Sequence, residues 1–243
     1  MDGKTINLCS VMTMPYMCNK VVVFDLDDTL YKEIDFLKSG YRKVADYVGR
    51  LLRLSSIDIY YNLLSWHSRG ENAFARLNET YGIETPMKEY LDIYRYHQPN
   101  ITLPEETKAA LSGLKEAGVL MGIITDGRLE TQNNKIEALG LSEWISDDFV
   151  FINEEQKYFK PNHWSFDRMM LKCFEKGAEA DAIFYYVGDN PEKDFLGPNE
   201  LRWTSICLLD NEGKNIHKQD FDLQQKYLPK YKVDSINELI ALV

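Results

Sequence analysis

The chain has 243 residues, 44% of them apolar and 27% charged, which argues against a disordered, collagen-like or disulfide-scaffold protein and leaves room for one or two domains. Its 28 Lys and Arg against 38 Asp and Glu give a formal charge of -10, so a sequence-blind grip on nucleic-acid phosphates is not its business. Cys9, Cys18, Cys173 and Cys207 lie far apart without CxxC spacing, which suggests neither a zinc site nor a disulfide framework and points to a reducing cytoplasm.

Taken in chain order, residues 1–19 read as a flexible extension, with Met14 or Met17 as alternative translation starts. They lack the apolar run of roughly seven residues that a signal peptide needs, and no later run reaches the roughly 18 that would cross a membrane. Val21-Val22-Val23-Phe24 is a β-branched and aromatic run without alternation, the pattern of a strand buried on both faces, and it ends in Asp25, Asp27 and Asp28. From 31 to 100, Ile34, Leu37, Tyr41, Val44, Val48, Leu51 and Leu52 recur at helical steps and no strand-like run is visible. That stretch holds 10 basic and 9 acidic residues and 9 of the 15 tyrosines, so it is nearly neutral in an acidic chain. It is expected to be an all-helical insert.

A helix over Glu105 to Glu116, opened by Pro104 and closed before Gly118, leads to a strand over Val119 to Ile124. Further strands are expected at Phe149 to Ile152, Ile183 to Val187 and Ser205 to Leu209, with a helix over Ser165 to Glu175. Ser235-Ile236-Asn237-Glu238 is a capping-box pattern before a short apolar helix. The alternation predicts an α/β fold, a Rossmann-like parallel sheet with flanking helices, built from 20–30 and 101–243 and interrupted by the helical domain 31–100.

In such a sheet the residues just past the strand carboxyl ends converge on one edge. Here they are Asp25-Leu26-Asp27-Asp28-Thr29, Thr125-Asp126-Gly127, Lys160-Pro161 and Gly188-Asp189, with Asp194 a little further on. An Asp at one strand end is ordinarily a turn or cap residue, but four such places in one chain make a constellation. Gathering Asp25, Asp27, Asp189 and Asp194 is unfavourable unless a cation neutralises them, and an oxygen-only set suits Mg²⁺ better than Zn²⁺. A carboxylate screened in this way can attack phosphorus, with a Thr125 hydroxyl and the Lys160 charge placed to hold the transferring group.

These four ordered motifs resemble those of the haloacid dehalogenase-like hydrolase superfamily over about residues 20 to 210. The resemblance implies Asp25 as nucleophile and Asp27 as the acid and base that protonates the leaving oxygen and then activates water. It implies Thr125, Asp126 and Lys160 at the phosphoryl group, Mg²⁺ on Asp25, the Asp27 carbonyl and Asp189, and Asp194 acting through water or orienting Lys160. The family's dehalogenases lack Asp at the position of Asp27, because a leaving halide needs no proton, so phosphate-ester hydrolysis is favoured. The insert resembles the family's helical cap of the first type, entered through Thr29 to Ile34, with Tyr31, Tyr41 and Tyr47 as candidates for substrate contact.

The chain departs from the family pattern in two places. Asp126 follows Thr125 where many members have Asn, and it either faces away, giving only its N–H, or meets a leaving-group hydroxyl. Pro198 falls in the helix after the last motif. Arg128 is either a second anion contact or an exposed helix-start residue, and His67, His97, His163 and His217 read as surface or helix residues. The expected function is hydrolysis of a small phosphorylated metabolite, without a nucleic-acid or membrane partner. A mutase with the same nucleophile and a non-catalytic phospho-binding relative remain as alternatives; a receiver domain would place its acidic pair before the phosphoacceptor and has no such insert.

Overall fold

A computed structural model describes residues 18–243. The expected extension over 1–19, with Cys9 and the alternative starts Met14 and Met17, lies outside the described residues as far as 17. Its last two positions belong to the first strand, β1 (Cys18–Phe24). Val21, Val22, Val23 and Phe24 have no exposed surface, as expected of a central strand covered on both faces.

After β1 come four helices in succession, α1 (Glu33–Leu52), α2 (Ser56–Ser68), α3 (Ala73–Tyr81) and α4 (Met87–Tyr96). Each is amphipathic, and their apolar faces meet around Tyr41, Val44, Leu63, Leu77 and Tyr90, a core separate from that of the sheet. Gly40 of α1 is required by that packing, since a Cβ there would press into the Tyr94 ring of α4 at 2.5 Å.

The chain returns through α5 (Glu105–Glu116) to β2 (Leu120–Thr125), α6 (Leu129–Ala138), β3 (Val150–Ile152), the short α7 (Asn153–Gln156) and α8 (Trp164–Glu175). It finishes with β4 (Ala178–Gly188), α9 (Leu196–Glu200), β5 (Thr204–Leu208), β6 (Tyr231–Val233) and α10 (Leu239–Leu242). The strands form one parallel sheet in the order β3-β2-β1-β4-β5-β6. The α/β fold with a Rossmann-like parallel sheet and flanking helices is as the sequence predicts.

Three details differ from expectation. β4 begins five residues before Ile183, where Ala178 pairs with Cys18 ahead of a break in register, and the stretch from Ala178 to Ala182 alternates Ala with acidic residues that carry no strand signal. β6 is a three-residue edge strand, too short to register as a pattern. Pro198 does not prevent α9 from forming: it lies in the first turn, where an N–H has no partner within the helix. The capping box on Ser235 and Glu238 forms on both sides, closing a 3₁₀ turn that runs into α10. No helix among the described residues is long and apolar enough to cross a membrane.

Candidate active site

β1, β2 and β4 end side by side, which carries their terminal residues to one edge. The β1–β4 pairing continues one step past β1, with Asp25 N donating to Val187 O at 2.8 Å. The chain then turns sharply through Asp28, at φ 56, a left-handed conformation that Asp tolerates better than most residues. Its carboxylate secures the turn by accepting from Glu33 N and Ile216 N, both at 2.9 Å.

Lys160 is the hub. It is buried, and its Nζ lies 2.8 Å from Asp25 Oδ1, 2.7 Å from Asp194 Oδ1 and 3.1 Å from the Tyr186 hydroxyl. Burial alone would lower its pKa, but the Asp194 and Asp25 charges outweigh that and raise it well above the usual lysine value. Asp194 accepts through its second oxygen from the Asp189 and Asn190 backbone N–H groups at 3.1 and 2.8 Å. Gly188 makes room for this arrangement, since a Cβ there would overlap the Asp194 carboxylate.

Asp25, Asp189 and Asp194 each offer an oxygen to a common space, all three within 4.8 Å of one another. Burial, together with the charge of Asp194, pushes Asp25 up to about 7 against the pull of Lys160. The same causes, with Asp25 as a further like charge, push Asp189 up to about 9. One lysine therefore leaves this carboxylate group under-neutralised. Hard, buried oxygen donors with surplus negative charge fit a divalent cation of the Mg²⁺ type.

Asp27 points elsewhere. Its Oδ1 accepts from the Tyr31 hydroxyl and lies 2.7 Å from Lys135 Nζ, while Oδ2 accepts from Lys135 at 2.8 Å and from Gln132 Nε2 at 2.9 Å. Burial raises its pKa, yet the Lys135 charge and these hydrogen bonds prevail and hold it below the ordinary carboxylate value of 3.8. Glu33, at the head of α1, is pushed up to about 8 by burial and by the charge of Asp27.

Thr125 is buried at the end of β2, with its hydroxyl 2.7 Å from Gln132 Nε2. Asp126 has its Oδ1 engaged by Asn153 Nδ2 at 2.6 Å and by Lys160 N at 3.1 Å, so this oxygen ties β2 to the loop before Lys160. A cleft of about 460 Å³ opens over Asp25, Asp27, Thr125, Lys160 and Asp189, rimmed by Glu33, Phe159, Lys193 and His217.

All seven candidate residues, Asp25, Asp27, Thr125, Asp126, Lys160, Asp189 and Asp194, thus line one cleft. Of the three tyrosines, Tyr31 reaches it through Asp27, whereas Tyr41 packs in the helical core and Tyr47 bonds Glu89. Arg128 sits at the N-cap of α6, 3.7 Å from Glu154 and off the cleft. One histidine differs from the surface-or-helix reading: His97 is buried past the end of α4 with its ring nitrogens on Tyr94 O and Ser39 Oγ, whereas His217 is a surface residue of the β5–β6 loop at the cleft rim.

Lys135, Gln132, Asn215 and Gln219 carry no signal in the sequence as site residues. Each is a polar residue in a helix or loop whose position at the site depends on segments far away in the chain.

One edge of the parallel sheet thus gathers a carboxylate, a hydroxyl, a lysine and an acidic pair in this order along the chain. The profile of the haloacid dehalogenase-like hydrolases matches residues 22–206, and the chain belongs to that family. It is 27% identical over 235 residues to the glyceraldehyde 3-phosphate phosphatase of Methanocaldococcus jannaschii, covering 92% of this chain and 96% of that one. Among solved structures it is similar to an HAD phosphatase of Thermococcus onnurineus, at TM-score 0.56 and 19% identity over 92% and 97% of the two chains. It is also similar to a putative HAD-hydrolase of Bacillus subtilis bound to magnesium, at TM-score 0.60 and 18% identity over 93% and 98%. These two likenesses are of fold.

Proposed function

We propose that the protein is a cytoplasmic phosphatase that hydrolyses monoesters of small phosphorylated metabolites, sugar phosphates among them, through a phosphorylated Asp25. The observation that carries this is the pair of carboxylates two residues apart with opposite surroundings: Asp25 beside Lys160 and the acidic group, Asp27 on the other side of the turn beside Lys135. Two carboxylates on opposite sides of one turn, each held by its own lysine, give a nucleophile and a separate proton carrier distinct places. The glyceraldehyde 3-phosphate phosphatases that the chain resembles, and a cleft of about 460 Å³, fit a small substrate. Among the described residues Cys18, Cys173 and Cys207 are free thiols, in keeping with a reducing compartment.

In this reading an Asp25 oxygen attacks phosphorus while the bond to the ester oxygen breaks. Asp27 gives that oxygen its proton, acquired as the anionic substrate enters and raises the Asp27 pKa. Asp27, ionised again, takes a proton from water as the water oxygen attacks the phosphorylated Asp25, releasing inorganic phosphate and restoring the carboxylate. Thr125 and Lys160 hold the phosphoryl oxygens, and Asp126 contributes its N–H while its carboxylate braces the loop. Asp25, the Asp27 carbonyl and Asp189 would hold Mg²⁺, with Asp194 orienting Lys160. The ion supplies screening of the carboxylates from the phosphate and polarisation of the phosphoryl oxygens.

The helices of 31–100 serve as a cap domain on a core of 20–30 and 101–243, closing over the cleft and excluding water. Phosphate release from a panel of sugar phosphates, acyl phosphates and nucleotides, with Mg²⁺ and with EDTA, tests the proposal. Activity that requires Mg²⁺ and vanishes in Asp25→Asn is expected, and unchanged turnover in that variant would overturn the mechanism. Transfer of the phosphoryl group to a second sugar position without release to water would point to a mutase instead.

A further inference from the structure

The β5–β6 loop, residues 209–230, runs back over the sheet edge and touches both the acidic group and the entry to the helical insert. Asn215 stands between them: its Nδ2 donates to Asp189 Oδ2 at 2.8 Å, and its Oδ1 accepts from Lys32 Nζ at 2.6 Å. Lys32 is the N-cap residue of α1, the point at which the chain enters the insert. Because an ammonium only donates, the Lys32 contact fixes the amide oxygen of Asn215 and turns its NH₂ to Asp189.

The neighbours of Asn215 reinforce the same link. Ile216 N donates to Asp28 at the entry turn, and the Ile216 side chain packs on the core of the insert. Gln219 Nε2 donates to Asp189 O at 2.8 Å and to Leu208 O at 2.7 Å, anchoring the loop to the end of β5. Asp210 accepts from Asn215 N at 3.0 Å and lies 3.7 Å from Lys32. Asp189 is left with one oxygen held by Asn215 and the other, Oδ1, without a hydrogen bond among the described residues.

We infer that residues 210–219 form a strap through which the entry of the helical insert sets the cation site, with Asn215 the positioning residue that holds the Asp189 carboxylate. The inference rests on the reading of Asp189 as a cation ligand. An outer partner that fixes the orientation of a ligand spares the cation the entropic cost of ordering it. Lys32 in turn fixes Asn215, so cation binding and the conformation of the entry segment are linked, and the link acts in both directions.

The test is Mn²⁺ binding to the full chain, followed by the electron paramagnetic resonance of free Mn²⁺. Asp189→Ala is expected to abolish tight binding. Asn215→Ala is expected to weaken it by roughly 10-fold to 100-fold, the range for outer partners of metal ligands. Lys32→Ala should weaken it in the same direction by less, and the double variant should be no weaker than Asn215→Ala, since the link is already cut. Mn²⁺ should slow amide exchange over residues 29–34 in the wild type and not in Asn215→Ala.

Wild-type Mn²⁺ affinity in a folded Asn215→Ala overturns the inference. Should that variant fail to fold, unchanged affinity in Lys32→Ala overturns it equally. If Asp189→Ala binds Mn²⁺ as the wild type does, it is the reading of the cation site that falls, and the strap with it.

Discussion

Lys135 Nζ lies 2.7 and 2.8 Å from the two carboxylate oxygens of Asp27, across 108 residues of sequence. The lysine is buried, with the ring of Phe36 from α1 4.4 Å from its ammonium, so the ion pair sits where α6, the entry turn and the insert meet. The residue proposed to carry the proton, itself in the turn after β1, is thereby held in place by α6, a helix far away in the chain.

Lys135→Met is expected to leave Asp27 largely buried, at 19% side-chain exposure, with only neutral donors. Breaking such a pair costs about 3 to 5 kcal/mol, measurable by urea unfolding. The sign on pH follows from the direction of the shift. Wild-type Asp27 is depressed below 3.8, so its contribution to stability is present above that pH and fades as pH falls further. In the variant the acidic limb of the pH–rate profile should move to higher pH, since the depressing charge is gone.

Asp189 and Asp25 shift the other way, from 3.8 to about 9 and about 7. A raised carboxyl favours the folded state fully below the unfolded value, and that advantage is lost as pH rises through the folded value. Metal-free protein should therefore lose thermal stability progressively from about pH 4 to about pH 9. Saturating Mg²⁺ should flatten that decline and raise the melting temperature most at the alkaline end. Melting curves with EDTA and with Mg²⁺ across this range check both statements.

Lys160→Met removes the only cation within ion-pair distance of Asp25 and Asp194 among the described residues. Leaving these carboxylates buried and unpaired is expected to cost about 3 to 5 kcal/mol in the absence of metal. Mg²⁺ should recover part of the loss, whereas phosphatase activity should stay low because the phosphoryl group has lost a fixed charge. Chemical denaturation with and without Mg²⁺ separates the two effects.

Gly188→Ala places a methyl group against the Asp194 carboxylate, which cannot retreat without releasing the Asp189 and Asn190 N–H groups. Overpacking of this kind typically costs about 1 to 3 kcal/mol. The larger consequence should be in Mg²⁺-dependent turnover, reduced at least tenfold as Lys160 loses its support. Steady-state kinetics over a range of Mg²⁺ concentrations would show it.

The amino-acid sequence determined the fold class and marked seven of the residues that line the cleft. A parallel sheet of apolar runs ends each strand on one edge, and the polar residue that follows each run is read directly from the chain. The sequence also marked 31–100 as helical, because its apolar residues recur at three and four steps. Tertiary structure decided what surrounds those residues. Gln132 and Lys135 belong to a helix whose polar residues look solvated in isolation; they are buried because α4 and α1 close over α6, with Thr131 Oγ1 donating to Arg95 O at 3.2 Å. Asn215 and His217 lie in a loop without periodicity, and only its return over the sheet edge places them beside Asp189 and the cleft. Local patterning encodes which side a residue faces within its own element. Which distant element covers that side is set by packing, and it is this that fixes the charge state of Asp27 and the hold on Asp189.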